Sequence, residues 1–138
     1  MIRYVVGFAF NKLGTLVILI RKDRPPWQWH MLNGIGGHVE SGESYVDAMV
    51  REFGEECGAE TEVKDWVEFM TLGGNDWIVK FFYTTIGDTV QITSRTDEIV
   101  GMEDPHMLPN NCISNLYWLI PMALYHRRFP DEFKEWEE

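Results

Sequence analysis

GHVESGESYVDAMVREFGEECGA, residues 37–59, joins a glycine-led turn to a segment rich in acidic side chains. Ser44 is a typical N-cap with Asp47 three residues later, and Gly58 is a typical residue to follow the last helical turn. Between them, apolar side chains recur at helical spacing, at Tyr45, Ala48, Met49 and Phe53. The sequence therefore predicts a helix over residues 44–57 with one face in the core.

Three carboxylates lie close together on this predicted helix, because Glu52 precedes Glu55 and Glu56 by three and four residues. Like charges on one helical face repel each other, and the helix dipole disfavours anions near the C-terminal end. A sequence that accepts both costs indicates a cation site, and oxygen ligands favour Mg²⁺ or Mn²⁺ over zinc. The alternative for any single glutamate is a solvated surface residue, with Arg51 and Glu55 forming an ordinary helical ion pair.

The rest of the chain shows strand patterns on both sides of this helix. The predicted strands span residues 3–10, 16–20, 62–72 and 77–86, with a shorter one at 89–93. A second helix is predicted over residues 115–127 with Ser114 as its cap, although Pro121 then requires a kink or a later start. The acidic tail 131–138 receives no assignment. This order indicates an α+β fold in which helices cover a curved mixed sheet.

Length and charge narrow the kinds of partner that we expect. A chain of 138 residues is sized for one domain, so residues 1–138 are predicted to form a single domain. The net charge of −10 argues against nucleic-acid polymers as partners. No apolar run is long enough to cross a bilayer, no secretory leader pattern is visible, and two cysteines are too few for a disulfide scaffold. We therefore expect a cytoplasmic protein without a membrane partner, and the oligomeric state stays open.

The charges fall into two adjacent blocks. Residues 38–62 carry eight acids and one base, whereas residues 1–37 carry five bases and one acid. A solvated helix facing a loop would produce this distribution, and so would a divalent-metal site beside a phosphate site. Lys22 and Arg24 precede the glycine-rich turn and are the candidates for phosphate contacts; the alternative is an ordinary solvated loop.

The spacing of fixed residues in this stretch resembles the signature of the Nudix hydrolases. All seven fixed positions match, at Gly37, Glu43, Arg51, Glu52, Glu55, Glu56 and Gly58. Phe53 and Ala59 depart mildly, since aliphatic residues are usual at both places. The resemblance implies an α/β/α sandwich around a mixed sheet, and hydrolysis of a nucleoside diphosphate linked to another group.

The resemblance also implies a role for each matching residue. The metal ions, Mg²⁺ or Mn²⁺, would be held by Glu52, Glu55 and Glu56. The Gly37 carbonyl would be a further ligand, Arg51 would orient the glutamates, and Glu43 would brace the loop against the helix. Glu98 stands where the family often has another metal-binding or base-like glutamate, the alternative being a plain loop acid.

Residues 33–37, NGIGG, resemble the MutT-type enzymes that remove oxidised purine nucleoside triphosphates. In that sub-group the asparagine reaches the base, so Asn33 is a base-recognition candidate, with a turn residue as the alternative. Asn115 and Trp118, before Pro121, resemble the later base-holding stretch, although asparagines stand here where that sub-group has Asp. A core position on the second helix is the alternative for Trp118.

These observations together predict a metal-dependent pyrophosphohydrolase that converts nucleoside triphosphates to a monophosphate and pyrophosphate. Oxidised or otherwise modified purines are the leading substrates. Two alternatives stand beside this prediction: a hydrolase of another nucleoside-diphosphate derivative, and a Nudix-fold module that binds a nucleotide without cleaving it. Such modules usually lose a metal glutamate, whereas this chain keeps all three.

Overall fold

The computed structural model describes residues 1–132, and residues 133–138 of the unassigned tail lie outside the described residues. The described elements are β1 Ile2–Asn11, β2 Val17–Arg21, β3 Leu32–Asn33, β4 Ile35–His38, α1 Tyr45–Cys57, β5 Val67–Gly73, β6 Trp77–Ile86, β7 Ile99–Glu103 and α2 Leu116–Arg128. Short 3-10 turns lie at Pro26–Gln28 and Val63–Asp65. Within residues 1–132, no helix is both long and apolar enough to span a membrane.

The strands form one mixed sheet. Its order is β3-β2-β1-β6-β5, with β4 pairing to β1 and β7 pairing to β2. The central pair β1 and β6 is parallel, from Ile2 opposite Trp77 to Asn11 opposite Ile86. The other pairings are antiparallel. A parallel pair needs a long crossover connection, and α1 lies within that connection.

Side-chain alternation gives the sheet two apolar faces. Val5 and Ala9 of β1 lie in the cluster under α1, whereas Phe8 and Phe10 lie in the cluster under α2. α1 adds Ala48, Met49 and Phe53 to the first cluster. α2 adds Leu116, Leu119, Ile120 and Ala123 to the second. The predicted α+β class, with helices on both faces of a mixed sheet, is therefore confirmed.

The local signals that predict α1 are confirmed at both of its ends. The Ser44 hydroxyl oxygen accepts a hydrogen bond from the Asp47 backbone N–H at 3.1 Å, so this residue is the N-cap. Gly58 follows the helix in the left-handed conformation at φ 72°, and its N–H donates to the Gly54 carbonyl at 3.0 Å. The helix thus begins and ends where the sequence indicates, and this fixes the position of its glutamates.

The predicted strand at 89–93 is wrong, and the strand in this region is β7 at Ile99–Glu103, which pairs with β2. The backbone of the earlier segment is used at the end of α1 instead. The N–H groups of Thr93 and Arg95 donate to the carbonyls of Cys57 and Glu56, at 2.9 and 3.1 Å. Long-range capping of a helix end therefore replaces the strand pairing that the β-branched residues suggested.

The predicted Ser114 cap of the second helix is also wrong. Asn115 is the N-cap residue; its backbone is already helical and its side chain makes no capping hydrogen bond. Pro121 lies inside α2, which runs without a break over residues 116–128. A proline in the second turn removes one hydrogen bond to the carbonyl four residues earlier. Burial of Leu119, Ile120 and Ala123 against the sheet holds the helix together at that point.

Candidate active site

Arg51 of α1 connects the loop after β4 to the acidic face of the helix. Its Nε and Nη2 donate to the two carboxylate oxygens of Glu43 at 2.8 and 3.0 Å, a bidentate pair. Its Nη2 also donates to the His38 carbonyl at 2.9 Å. Its Nη1 donates to Glu52 Oε1 at 3.0 Å and Glu55 Oε2 at 3.3 Å. The guanidinium therefore orients two of the three helical glutamates.

Gly37 lies against one of these glutamates. A Cβ atom at this position would stand 2.5 Å from Glu52 Oε1, closer than any ordinary contact. Only glycine lets the β4 backbone approach the carboxylate this closely. The structure thus brings together the Gly37 backbone and the Glu52 side chain, which the sequence places in one site.

Glu98 and Lys22 meet beside the end of β2, although 76 residues separate them in the chain. Lys22 Nζ lies 3.1 Å from Glu98 Oε1, and the Asp23 backbone N–H donates to Glu98 Oε2 at 2.8 Å. Glu98 is buried, with 7% of its surface exposed. It is therefore not the solvated loop acid that the sequence leaves as an alternative.

Glu56 is the most buried of the three helical glutamates, and its Oε2 atom has no hydrogen-bond partner among residues 1–132. Burial, reinforced by repulsion from Glu52, raises the pKa of Glu56 to about 8. The positive charge of Lys22 opposes this rise in pKa, and the negative charge of Glu98 adds to it. Both members of the Lys22–Glu98 pair therefore act on Glu56. A buried carboxyl of this kind carries its proton at neutral pH.

The other two shifted carboxyl groups are controlled by burial and by Arg51. Burial raises the pKa of Glu52, and the Arg51 contact opposes that rise. The hydrogen bonds from Arg51 lower the pKa of Glu43 to about 2. Glu43 is thus a permanent anion that keeps the guanidinium in place, as expected for a brace.

The described side chains do not form a finished metal cage. Within residues 1–132, no three Asp, Glu, His or Cys side chains stand close enough together to hold a metal ion as placed. Arg51 forms ion pairs with Glu52 and Glu55, and Lys22 forms one with Glu98. The donors nevertheless fit a hard divalent ion, because they are all oxygens and the buried Glu56 Oε2 is unpaired. The ligand set stays a prediction.

The candidate base contacts lie where β3 meets the segment before α2. The Ile113 N–H donates to the Leu32 carbonyl at 2.9 Å, which links the two segments. Asn33 Oδ1 accepts from the Gly34 N–H at 2.8 Å, and its Nδ2 lies 3.4 Å from Gln28 Oε1. Asn115 Oδ1 is buried and has no hydrogen-bond partner in the described part of the chain. A buried acceptor without a hydrogen bond lowers the stability of the folded protein, and a ligand that donates a hydrogen bond to it recovers that cost.

Two other candidates lie in exposed positions. Trp118 is 43% exposed on α2, so its interpretation as a core residue is wrong. Helical geometry explains this, because the buried positions 116, 119, 120 and 123 point the other way. Arg24 is exposed in the loop between β2 and β3, and its phosphate contact stays a prediction.

Sequence reasoning missed a set of half-buried apolar side chains on the α2 face of the sheet. Leu72 and Val79 are cross-strand partners, and Val6 and Met70 each pair with Phe81. All four pack on the edge of the α2 cluster without being fully covered. The register between paired strands is what places these side chains side by side, and the sequence does not show that register before the strand pairing is known. Such a floor suits a flat, partly apolar ligand.

A sequence model of the NUDIX domain matches residues 2–133. The chain belongs to the NUDIX family. It is accordingly a hydrolase acting on phosphoric anhydride bonds, in a family that acts on nucleoside-diphosphate derivatives, and the Nudix resemblance is confirmed. NUDIX hydrolases generally use divalent metal ions and bind nucleotides. No curated protein matches the sequence closely.

Solved structures show the same NUDIX fold at low sequence identity. A MutT structure from work on Aliivibrio salmonicida and Vibrio cholerae has a TM-score of 0.70 and 24% identity, covering 90% of this chain and 98% of that one. A MutT NUDIX hydrolase from Burkholderia pseudomallei has a TM-score of 0.70 and 17% identity, covering 88% and 98%. A bifunctional NMN adenylyltransferase/ADP ribose pyrophosphatase from Francisella tularensis, complexed with AMP and Mn, has a TM-score of 0.71 and 15% identity. It is matched over 91% of this chain and 41% of that chain.

Glu56 makes the NUDIX domain lose stability as the pH rises from about 4.5 to about 8. In this window folded Glu56 keeps a proton that the unfolded chain releases, so the free energy of unfolding falls as pH rises. Glu56→Gln removes this dependence. Relative to wild type, we expect the free energy of unfolding of this variant to increase by on the order of 2 kcal/mol when the pH is raised from 5 to 8. Urea unfolding in metal-free buffer at both pH values measures the difference. Exposed Glu60→Gln is the control, and equal pH dependence of wild type and Glu56→Gln contradicts the prediction.

Proposed function

We propose that this NUDIX domain is a metal-dependent pyrophosphohydrolase that cleaves nucleoside triphosphates into a nucleoside monophosphate and pyrophosphate. The observation that carries the proposal is the Lys22–Glu98 ion pair, whose two charges act on the buried Glu56, together with the Arg51 network on the same helix as Glu56. Acidic groups for cations next to a lysine for phosphate are the two elements that phosphoryl transfer requires.

Five residues of the chain would hold the metal: Gly37 through its carbonyl, and Glu52, Glu55, Glu56 and Glu98 through their carboxylates. Mg²⁺ or Mn²⁺ bound there supplies charge neutralisation at the phosphates and an activated water. The chain's own side chains orient the ligands and control their protonation. Arg51 keeps Glu52 and Glu55 turned toward one side of α1. Glu56 must give up the proton that it holds below about pH 8 before it becomes a ligand.

The base would lie on the α2 side of the sheet. The half-buried floor there contains Val6, Met70, Leu72 and Val79. Asn115 Oδ1 is a buried acceptor with no partner among the described residues and would receive a hydrogen bond from the base edge. Asn33 and the exposed ring of Trp118 are the other proposed contacts. Oxidised or modified purines are the leading substrates, in keeping with the MutT-like glycine turn.

Another nucleoside-diphosphate derivative is the second candidate substrate. It is favoured by the hydrogen bond from Gly34 N–H to Asn33 Oδ1, because an amide oxygen used in the turn has less capacity for a base. The two candidates differ in their products. A triphosphate substrate releases pyrophosphate, whereas a substituted diphosphate releases a monophosphate and the phosphorylated substituent.

A panel of nucleotides incubated with Mg²⁺ tests the proposal directly. We expect pyrophosphate from nucleoside triphosphates, with the highest kcat/KM for a modified purine. Release of two monophosphates from a substituted diphosphate would favour the second candidate. Nucleotide binding without any product would instead identify a binding module.

Asn33→Ala is expected to change base selectivity more than chemistry. Loss of a hydrogen bond to the base edge leaves a buried polar group unpaired and costs about 1–3 kcal/mol. The KM of the preferred nucleotide should rise, while poor substrates change little. The ratios of kcat/KM across the panel measure this flattening.

A second substitution separates base recognition from the turn. Asn33→Asp keeps the acceptor for the Gly34 N–H and removes the amide donor. We expect it to lose selectivity as Asn33→Ala does, and the exposed hairpin variant Asn75→Ala to behave as wild type. If Asn33→Asp is normal and Asn33→Ala lowers kcat equally for every nucleotide, Asn33 only shapes the turn.

A further inference from the structure

Lys22 and Glu98 bind each other at the site where each is needed by a ligand. Lys22 Nζ is 3.1 Å from Glu98 Oε1, and the two side chains are only 18% and 9% exposed. A lysine bound to a carboxylate is not available to a phosphate, and a carboxylate bound to an ammonium is not available to a cation. The pair therefore satisfies both groups only while no ligand is present.

The Arg51 contacts are different in kind. Arg51 is held on one side by the bidentate contact with Glu43 and the His38 carbonyl, and it reaches Glu52 and Glu55 with one nitrogen, Nη1. It can stay anchored whatever those glutamates bind. Within residues 1–132, the Lys22 ammonium has Glu98 as its one polar partner, and its long stem is flexible. Lys22 is thus the cation suited to exchange.

Glu98 has supports that do not depend on Lys22. Its Oε2 accepts from the Asp23 N–H at 2.8 Å, and its own N–H donates to Thr96 Oγ1 at 3.2 Å. The carboxylate therefore keeps its place when the lysine leaves, with Oε1 free. The charge of Glu98 acts on the neighbouring buried carboxyl of Glu56, whose Oε2 is unpaired within residues 1–132.

We propose that Lys22 is an exchangeable counter-ion: it neutralises Glu98 in the ligand-free protein and moves to a substrate phosphate when a nucleotide binds, which releases Glu98 for a divalent cation. The inference rests on the proposed function, since it needs a phosphate-bearing substrate and a cation site. Its consequence is thermodynamic coupling. Nucleotide strengthens cation binding, and the cation strengthens nucleotide binding by the same factor.

Lys22→Gln tests the exchange through binding rather than activity. Without nucleotide, Glu98 is already free in this variant, so Mn²⁺ should bind about fivefold more tightly than in wild type, as for loss of one competing ion pair. A nucleoside triphosphate with a methylene bridge between its α and β phosphates, which cannot be cleaved to monophosphate and pyrophosphate, should bind more weakly because its phosphate contact is gone. Isothermal titration measures both. Lys64→Gln, an exposed lysine remote from Glu98, is the charge-matched control.

The coupling distinguishes exchange from simple charge repulsion. In wild type, the bridged nucleotide should increase the affinity for Mn²⁺. In Lys22→Gln this increase should be smaller, because the variant has no Lys22–Glu98 ion pair for the nucleotide to break. Glu98→Gln should show the reverse single-ligand effects, with weaker Mn²⁺ binding and tighter nucleotide binding without metal. Its coupling should also be reduced.

Three results overturn the inference. Unchanged or weaker Mn²⁺ binding by Lys22→Gln shows that Lys22 only braces Glu98. Tighter Mn²⁺ binding with wild-type coupling shows repulsion without exchange. Absence of Mn²⁺ binding by wild type removes both this inference and the metal-dependent function. If the expected binding is found but no triphosphate is hydrolysed, the proposed function fails and the exchange stands.

Discussion

Glu56→Gln is expected to lower kcat for nucleotide hydrolysis by about 1,000-fold while leaving the fold intact. The glutamine keeps the shape of the buried side chain and removes the charge that a cation needs. The usual cost of removing a buried charge does not apply, because the pKa of Glu56, about 8, keeps the carboxyl neutral at pH 7 without metal. A steady-state assay for released pyrophosphate measures the loss.

Stability data make this result interpretable. Circular dichroism and thermal unfolding should show a native fold with an unchanged or higher Tm in metal-free buffer. Glu60→Gln, an exposed glutamate just after α1, should keep wild-type kcat. Wild-type turnover by Glu56→Gln would show that the cation site is placed wrongly. A large fall in Tm would show instead that Glu56 has a structural partner in the folded protein.

Local signals predict α1 because its N-cap, its buried face and the glycine that follows it are all adjacent in sequence. The Ser44 cap, the apolar spacing and the left-handed Gly58 act within one or two turns, and each is found in place. The seven matching signature positions add the family, from which the sandwich follows. β6 is also predicted with its observed bounds, Trp77–Ile86, because an aromatic and β-branched run is a strong strand signal.

Contacts between distant residues set the limit of this reasoning. The Lys22–Glu98 pair joins residues 76 positions apart. No local pattern indicates that these two predicted ligand-binding side chains form an ion pair with each other. The segment around Thr93 looked like a strand but caps α1, because the free carbonyls at the end of a helix need donors. The apolar floor depends on strand register, which is a property of the folded sheet.

Arg51→Lys is expected to lower both stability and activity, despite the conserved charge. Lysine is a point charge and cannot reproduce the bidentate contact with Glu43 together with the bonds to Glu52 and the His38 carbonyl. Partly buried carboxylates then lose their donors, which costs about 3 kcal/mol. Because Glu52 and Glu55 also lose their orientation, kcat/KM should fall by about 100-fold. Urea unfolding and the pyrophosphate assay measure the two effects.

Two companion variants show whether orientation is the cause. Arg128→Lys makes the same chemical change at an exposed position at the end of α2 and should shift stability by less than about 0.5 kcal/mol. Glu43→Gln removes the anion that holds the guanidinium, so it should reproduce much of the Arg51→Lys loss without touching any predicted metal ligand. If Glu43→Gln keeps full activity while Arg51→Lys loses it, the bracing role of Glu43 is wrong. Arg51 would then orient Glu52 and Glu55 without help from Glu43, through its own bonds to these carboxylates and to the His38 carbonyl.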